Sequence, residues 1–247
     1  MIDFGLLSAQ LSKGKITEPT EIFMSLPSKN EKYSYLRNVQ AEVLEQWYGQ
    51  RDRKNNIIKM NTGSGKTTVA LLILKSCLNE HGGHAAYVVP DNYLVAQVIS
   101  EANELGIEVT NTETDISFIQ GEAILVINIQ KLFNGKSVFG MRNAGNIELD
   151  YILIDDVHAC VEDVKSQFRI RISSNTDLSK QIFNLYKDDL RNQNEKVFLD
   201  ICDGDPCSGN IIVPFWRISD TKSDLLRILQ AHKDDNEIKF NFPLVGE

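Results

Sequence analysis

The stretch Met60-Asn-Thr-Gly-Ser-Gly-Lys-Thr-Thr68 combines two glycines, a lysine and several hydroxyls at a spacing suited to holding phosphate. Gly63 and Gly65 can take positive φ, so that successive N–H groups and the start of a following helix converge on phosphate oxygens. Lys66 then supplies a point charge for the β- and γ-phosphates, and Thr67 a hydroxyl for Mg²⁺. The general pattern G-x-x-x-x-G-K-[ST] has glycine where this chain has Met60, so the match runs from the second glycine onward. Such a loop needs a carboxylate at another strand end to hold the waters of the ion. Asp155, directly after Tyr-Ile-Leu-Ile154, is the candidate. Its neighbour Asp156 can orient or deprotonate an attacking water, or cap the next helix.

The loop has to lie between a strand and a helix, and the flanking sequence predicts both: residues 56–59, with Ile57 and Ile58, read as a strand, and 69–78 as an apolar helix ended by Gly82-Gly83. Upstream, Leu36, Val39, Val43, Leu44 and Trp47 follow helical spacing. Downstream, the continuous apolar runs 85–89, 123–127 and 151–154 have the length and composition of buried parallel strands. Residues 108–111 read as a short strand, 93–105 and 130–133 as helices, and 135–146 as a glycine-bearing loop. Strands alternating with helices imply an α/β fold, a parallel sheet covered on both faces, with ligands at the carboxyl ends of the strands. Both the glycine loop and the Asp pair fall there.

The 247 residues suffice for one large or two ordinary domains. A lead-in at 1–30, a main domain at 31–172 and a small α+β segment at 173–247 are expected. In that last segment 178–190 and 223–231 read as helices, and 196–201, 210–213 and 237–242 as strands. Net charge is −8, and residues 31–172 carry 14 positive and 18 negative side chains. That balance excludes a protein that coats nucleic acid through bulk charge, though not a local groove. No apolar run approaches a membrane span and the first residues lack the pattern of a signal peptide, so a cytoplasmic location is expected. Of the four cysteines, Cys202 and Cys207 form a C-x4-C pair, half of a zinc site or an acidic turn with two buried thiols.

Four stretches together resemble the first motor domain of superfamily 2 helicases, the DEAD/DEAH-like group. Leu36-Arg-Asn-Val-Gln40 looks like the family's upstream adenine-reading motif, 60–67 like motif I, Val89-Pro-Asp-Asn-Tyr-Leu-Val-Ala-Gln97 like motif Ia, and Asp155-Asp-Val-His158 like motif II. Val126-Ile-Asn-Ile-Gln-Lys-Leu132 is similar to motif Ib, with Asn128 and Ile129 where the family usually has Thr and Pro. The resemblance implies a RecA-like fold and an ATP- and Mg²⁺-dependent helicase or translocase. It makes Gln40, Thr62, Gly63, Ser64, Gly65, Lys66, Thr67 and Thr68 the nucleotide-binding set, Thr67 and Asp155 the metal ligands, and Lys66, Asp155 and Asp156 the catalytic groups. By the same analogy Asn92, Gln97, Asn128 and Lys131 touch a single strand of DNA or RNA, and His158 couples nucleotide state to that strand.

Asp156 departs from the family's usual Glu and is one methylene shorter. No Ser-Ala-Thr-like motif III and no second motor domain follow, which makes an amino-terminal fragment the expectation, inactive in hydrolysis by itself and completed by a second RecA-like domain or a partner subunit. Some bacterial antiphage-defence helicases are similar in carrying a divergent motif II and insertions. Two further readings stay open: a non-catalytic, ATP-gated binding module, and a P-loop ATPase that remodels protein.

Overall fold

The computed structural model describes residues 15–27, 29–139, 146–205 and 207–245. The first fourteen residues of the expected lead-in, and 140–145 of the expected loop, lie outside these. The chain divides into two compact units, one holding residues up to 132 together with 138–164, the other 133–137 together with those from 165 onward.

The first unit is built on four parallel strands: β1 (Ala85–Val89), β2 (Val109–Thr110), β3 (Ile124–Asn128) and β4 (Tyr151–Ile154), in the order β2-β3-β1-β4. Tyr87 stands opposite Val126 on one side and Leu153 on the other, which sets β1 as an inner strand. Its five residues are all buried, as expected for a strand covered on both faces. Short helix α1 (Pro19–Ser25), α2 (Asn38–Tyr48), α3 (Lys66–His81) and α4 (Asn92–Leu105) share one core with the sheet. Short helices α5 (Ile116–Ile119) and α6 (Ile129–Leu132), and the part of α7 (Val157–Gln167) up to residue 164, complete the elements of this unit.

Helix α3 is apolar almost all round, with 69–74 buried without a break, and so it runs through the interior rather than along the surface. Its end follows from chain chemistry. Gly82 takes φ +71° and its N–H bonds back to the Leu78 carbonyl. Arg51, in the turn after α2, donates to both carboxylate oxygens of Glu80 at 3.1 Å, fastening that turn to the end of α3.

The strand expected at 56–59 does not form. These residues make no ladder with any neighbour, and Ile57 is 99% exposed. Two β-branched residues flanked by polar ones supply the propensity for a strand, but a strand exists only beside another that takes up its N–H and C=O groups. On the side away from β1, β4 has no strand among the described residues, and Ile152 and Ile154 are left 48% and 37% exposed.

The α+β expectation for 173–247 is also corrected, because the described residues of the second unit hold helices and no strand: α8 (Asp177–Gln193), α9 (Glu195–Cys202), α10 (Phe215–Asp220), α11 (Lys222–Ala231) and α12 (Phe242–Val245). Residues 196–201 belong to α9, which Asn194 caps by accepting from the Val197 N–H at 3.1 Å. Its apolar residues lie at helical spacing, and Phe198 stacks on Phe183 of α8 with ring centroids 5.6 Å apart. Residues 210–213 have no partner strand. Residues 237–242 close turns onto the Asp235 and Ile238 carbonyls. Leu178, Leu229 and Ile238 form the buried centre of this unit. Cys202 and Cys207 are both exposed, not buried, since they flank the turn that leaves α9.

Candidate functional site

Residues 61–65 leave the core and turn back into α3, and both glycines adopt the left-handed region, φ +76° at Gly63 and +82° at Gly65. Gly65 is the residue immediately before the helix, so the N–H groups of Lys66, Thr67 and Thr68 form the open first turn that a phosphate can accept. A β-carbon at Gly65 would overlap the Gln40 side chain. Ser64 turns its hydroxyl back onto the Asn61 carbonyl at 2.6 Å, and Thr62 is exposed. Lys66 is exposed and has no hydrogen bond or ion pair among the described residues. Thr68 is buried and donates to Glu101 Oε1 at 3.0 Å, so its backbone N–H, not its hydroxyl, is what it can offer a phosphate.

The loop is braced from α2. Gln40 is 6% exposed; its Oε1 accepts from the Arg37 N–H at 2.9 Å and its Nε2 donates to the Gly65 carbonyl at 3.1 Å. Arg37 reaches further and donates through Nη1 to the Gly63 carbonyl at 2.6 Å. The residue singled out as an adenine reader thus spends its amide on the shape of the glycine loop, and Arg37, which sequence reasoning passed over, does the same.

Asp155 stands at the carboxyl end of β4, where its N–H donates to the Val88 carbonyl at 2.9 Å. Its Oδ1 accepts from the Asp156 N–H at 2.9 Å and its Oδ2 from the Tyr87 hydroxyl at 3.0 Å. The Thr67 side chain also lies close to the Tyr87 hydroxyl. Glycine loop and strand end, distant in sequence, meet around one phenol. That convergence is the fit test for Mg²⁺: one hydroxyl and one carboxylate side by side, with no group of three His, Cys, Asp or Glu among the described residues that could cage an ion. Mg²⁺ is held in this manner, by one or two protein oxygens plus waters and phosphates.

Burial, and then the negative charge of Asp155, push Tyr87 far above the ordinary tyrosine range, so it stays a protonated donor. Burial likewise raises the Cys160 thiol to about 11; its Sγ donates to the Asp155 carbonyl at 3.4 Å and it is inert as a nucleophile. Asp156 is exposed and has φ +47°, the left-handed region that favours glycine. Its carboxylate accepts from the Ala159 N–H at 3.4 Å, a long bond at the start of α7.

A cavity of about 480 Å³ opens between α3 and β4, with Lys66, Tyr87 and Asp155 among its lining residues. Most of its wall is apolar, including Val69, Ile73, Leu74 and Leu153, and its polar part holds Arg51, Arg53, Lys54 and Lys66.

At the ends of β3 and β1 the other candidates fall into two sets. Asn128 Nδ2 donates to Asn92 Oδ1 at 2.8 Å, and Asn128 Oδ1 accepts from the Lys131 N–H at 2.8 Å, so three of the four form one polar chain. The Lys131 ammonium is engaged by Glu113 at 2.9 Å and the Asn111 carbonyl at 3.2 Å. Gln97 stands apart on the exposed side of α4, and His158 is exposed in the first turn of α7. Of the residues sequence reasoning missed, Tyr87 carried a usable signal, a hydroxyl inside an otherwise apolar strand that must find a partner. Arg37 carried none beyond its place ahead of α2.

The family model of the type III restriction enzyme res subunit matches residues 34–200. No curated protein and no solved structure matches the chain. Among the described residues no helix is long and apolar enough to cross a membrane. With this match over most of its length and with its all-parallel sheet, the chain belongs to the type III restriction res-subunit family, as the first RecA-like motor domain of a superfamily 2 helicase.

Proposed function

We propose that this domain binds Mg-ATP at residues 62–68 and Asp155 and uses its hydrolysis, together with a second RecA-like domain, to move along a strand of DNA or RNA. The observation that carries the reading is the meeting of Thr67 and Asp155 around the Tyr87 hydroxyl. When bound, Mg²⁺ would draw charge from the β- and γ-phosphates. The chain's own groups do the rest. Backbone N–H groups of the first turn of α3 hold phosphate oxygens, Lys66 adds a cation that no described residue pairs, and Gln40 and Arg37 hold the loop in shape. Asp156 faces solvent beside Asp155 and can accept a proton from an attacking water. Asn92, Asn128 and Lys131 offer a strand-contacting edge, with Gln97 on the neighbouring helix.

Calorimetry with ATP and Mg²⁺ tests the first half: Lys66→Ala should lower affinity at least tenfold while leaving the thermal midpoint alone, because the side chain is exposed and unpaired, and a charged phosphate contact is worth about 1.5–3 kcal/mol. Equal affinity in the two proteins rejects the loop assignment. Stimulation of ATP hydrolysis by single-stranded nucleic acid in the two-domain motor tests the second half.

The second reading, a domain that binds ATP without turning it over, is favoured by the Asp156 carboxylate bonding to the start of α7.

A further inference from the structure

We propose that Tyr87 is a positioning residue of the metal half of this site, setting the Asp155 carboxylate for the ion before it arrives; this rests on the Mg-ATP reading above. An ionised carboxylate only accepts, so in the 3.0 Å contact between Tyr87 and Asp155 Oδ2 the phenol must donate. Without Tyr87 that carboxylate is free to turn, and the lone pairs it offers a cation turn with it.

The carboxylate is fixed by the same arrangement. Oδ2 is held by Tyr87 and Oδ1 by the Asp156 N–H, yet each oxygen keeps a further lone-pair direction for a metal or its waters. Tyr87 is wholly buried at the centre of the inner strand β1, between β3 and β4, and cannot drift. It therefore ties the inner strand to the end of β4, where the carboxylate must be held.

The test is Tyr87→Phe, which preserves the ring in its buried slot and removes the hydroxyl alone. Affinity for a fluorescent ATP analogue is measured in EDTA and across a Mg²⁺ titration. Partners of this outer kind are typically worth about 10–100-fold in metal affinity. The expected result is an affinity in EDTA equal to wild type and a half-saturating Mg²⁺ concentration raised by about 10-fold or more. An unchanged Mg²⁺ dependence overturns the proposal, as does an equal loss in EDTA and in Mg²⁺, which would mark a purely structural tyrosine. If the wild-type protein binds no nucleotide, the Mg-ATP reading itself fails and this one with it; if it binds and Tyr87→Phe behaves identically, only the Tyr87 role fails. Should Tyr87→Phe not fold, 3-fluorotyrosine-labelled wild-type protein is examined by ¹⁹F NMR with ATP and Mn²⁺. Paramagnetic broadening of one buried tyrosine signal supports the placement beside the ion, and no broadened signal overturns it.

Discussion

Asp156 shows how two roles can fall on one side chain. Its φ of +47° is a conformation that Asp tolerates better than most residues, its N–H holds Asp155, and its carboxylate lies 3.4 Å from the Ala159 N–H. Asn caps helices as well as Asp and is equally at ease in the left-handed region, so Asp156→Asn removes the charge and little else. In the two-domain motor, with Mg-ATP affinity unchanged, this substitution should lower steady-state hydrolysis by about 10²–10⁴-fold if the carboxylate is the general base. Asp156→Glu should keep or raise the rate. Hydrolysis indifferent to Asn would leave Asp156 a cap and favour the domain that binds without turnover.

At the scale of elements, the contact between α2 and the glycine loop governs the site. Gln40 is buried with both ends of its amide used, one on the start of its own helix and one on the Gly65 carbonyl. Gln40→Ala removes the side-chain partners of the Arg37 N–H and the Gly65 carbonyl, both partly buried, at a cost of about 1–3 kcal/mol in all. Urea denaturation should show a loss within that range. Nucleotide competition should show weaker ATP binding and a narrower preference for ATP over GTP, the second only if the amide also meets the base. Stability lost with the ATP to GTP ratio unmoved would assign Gln40 to the loop's shape alone. The same scale explains residues 56–59: a strand next to the glycine loop depends on a neighbour to pair with, and the outer side of β4 presents exposed isoleucines without a ladder.

For the molecule as a whole, two units with separate cores predict separable behaviour. Leu229, 4% exposed, sits in the helical unit with Leu178 and Ile238, whereas the glycine loop is supported by α2, α3 and the sheet. Leu229→Ala should cost about 2–5 kcal/mol in the helical unit. Mg-ATP affinity should shift by less than about twofold, as expected for sites without shared partners. Circular dichroism during heating and calorimetry with Mg-ATP check the two halves. A fall in nucleotide affinity parallel to the loss of helix would show that the units fold as one.

Alone, the sequence determined what local chemistry decides. The glycine loop, the buried runs that became β1, β3 and β4, the helices α3, α4, α8 and α11, and Asp155 at a strand end were legible, because glycine, apolar periodicity and helix stops act over a few neighbouring residues. Tertiary structure decided everything that required a distant partner. Residues 56–59 had strand propensity and found no ladder, and 196–201 had β-branched residues but packed Phe198 onto Phe183 as a helix. Gln40 turned to the Gly65 carbonyl, Thr68 to Glu101, and Tyr87 to Asp155. No spacing rule announces such contacts, because hydrogen-bond partners far apart in the chain are chosen by burial, which leaves each enclosed polar group to pair with whatever the fold brings beside it.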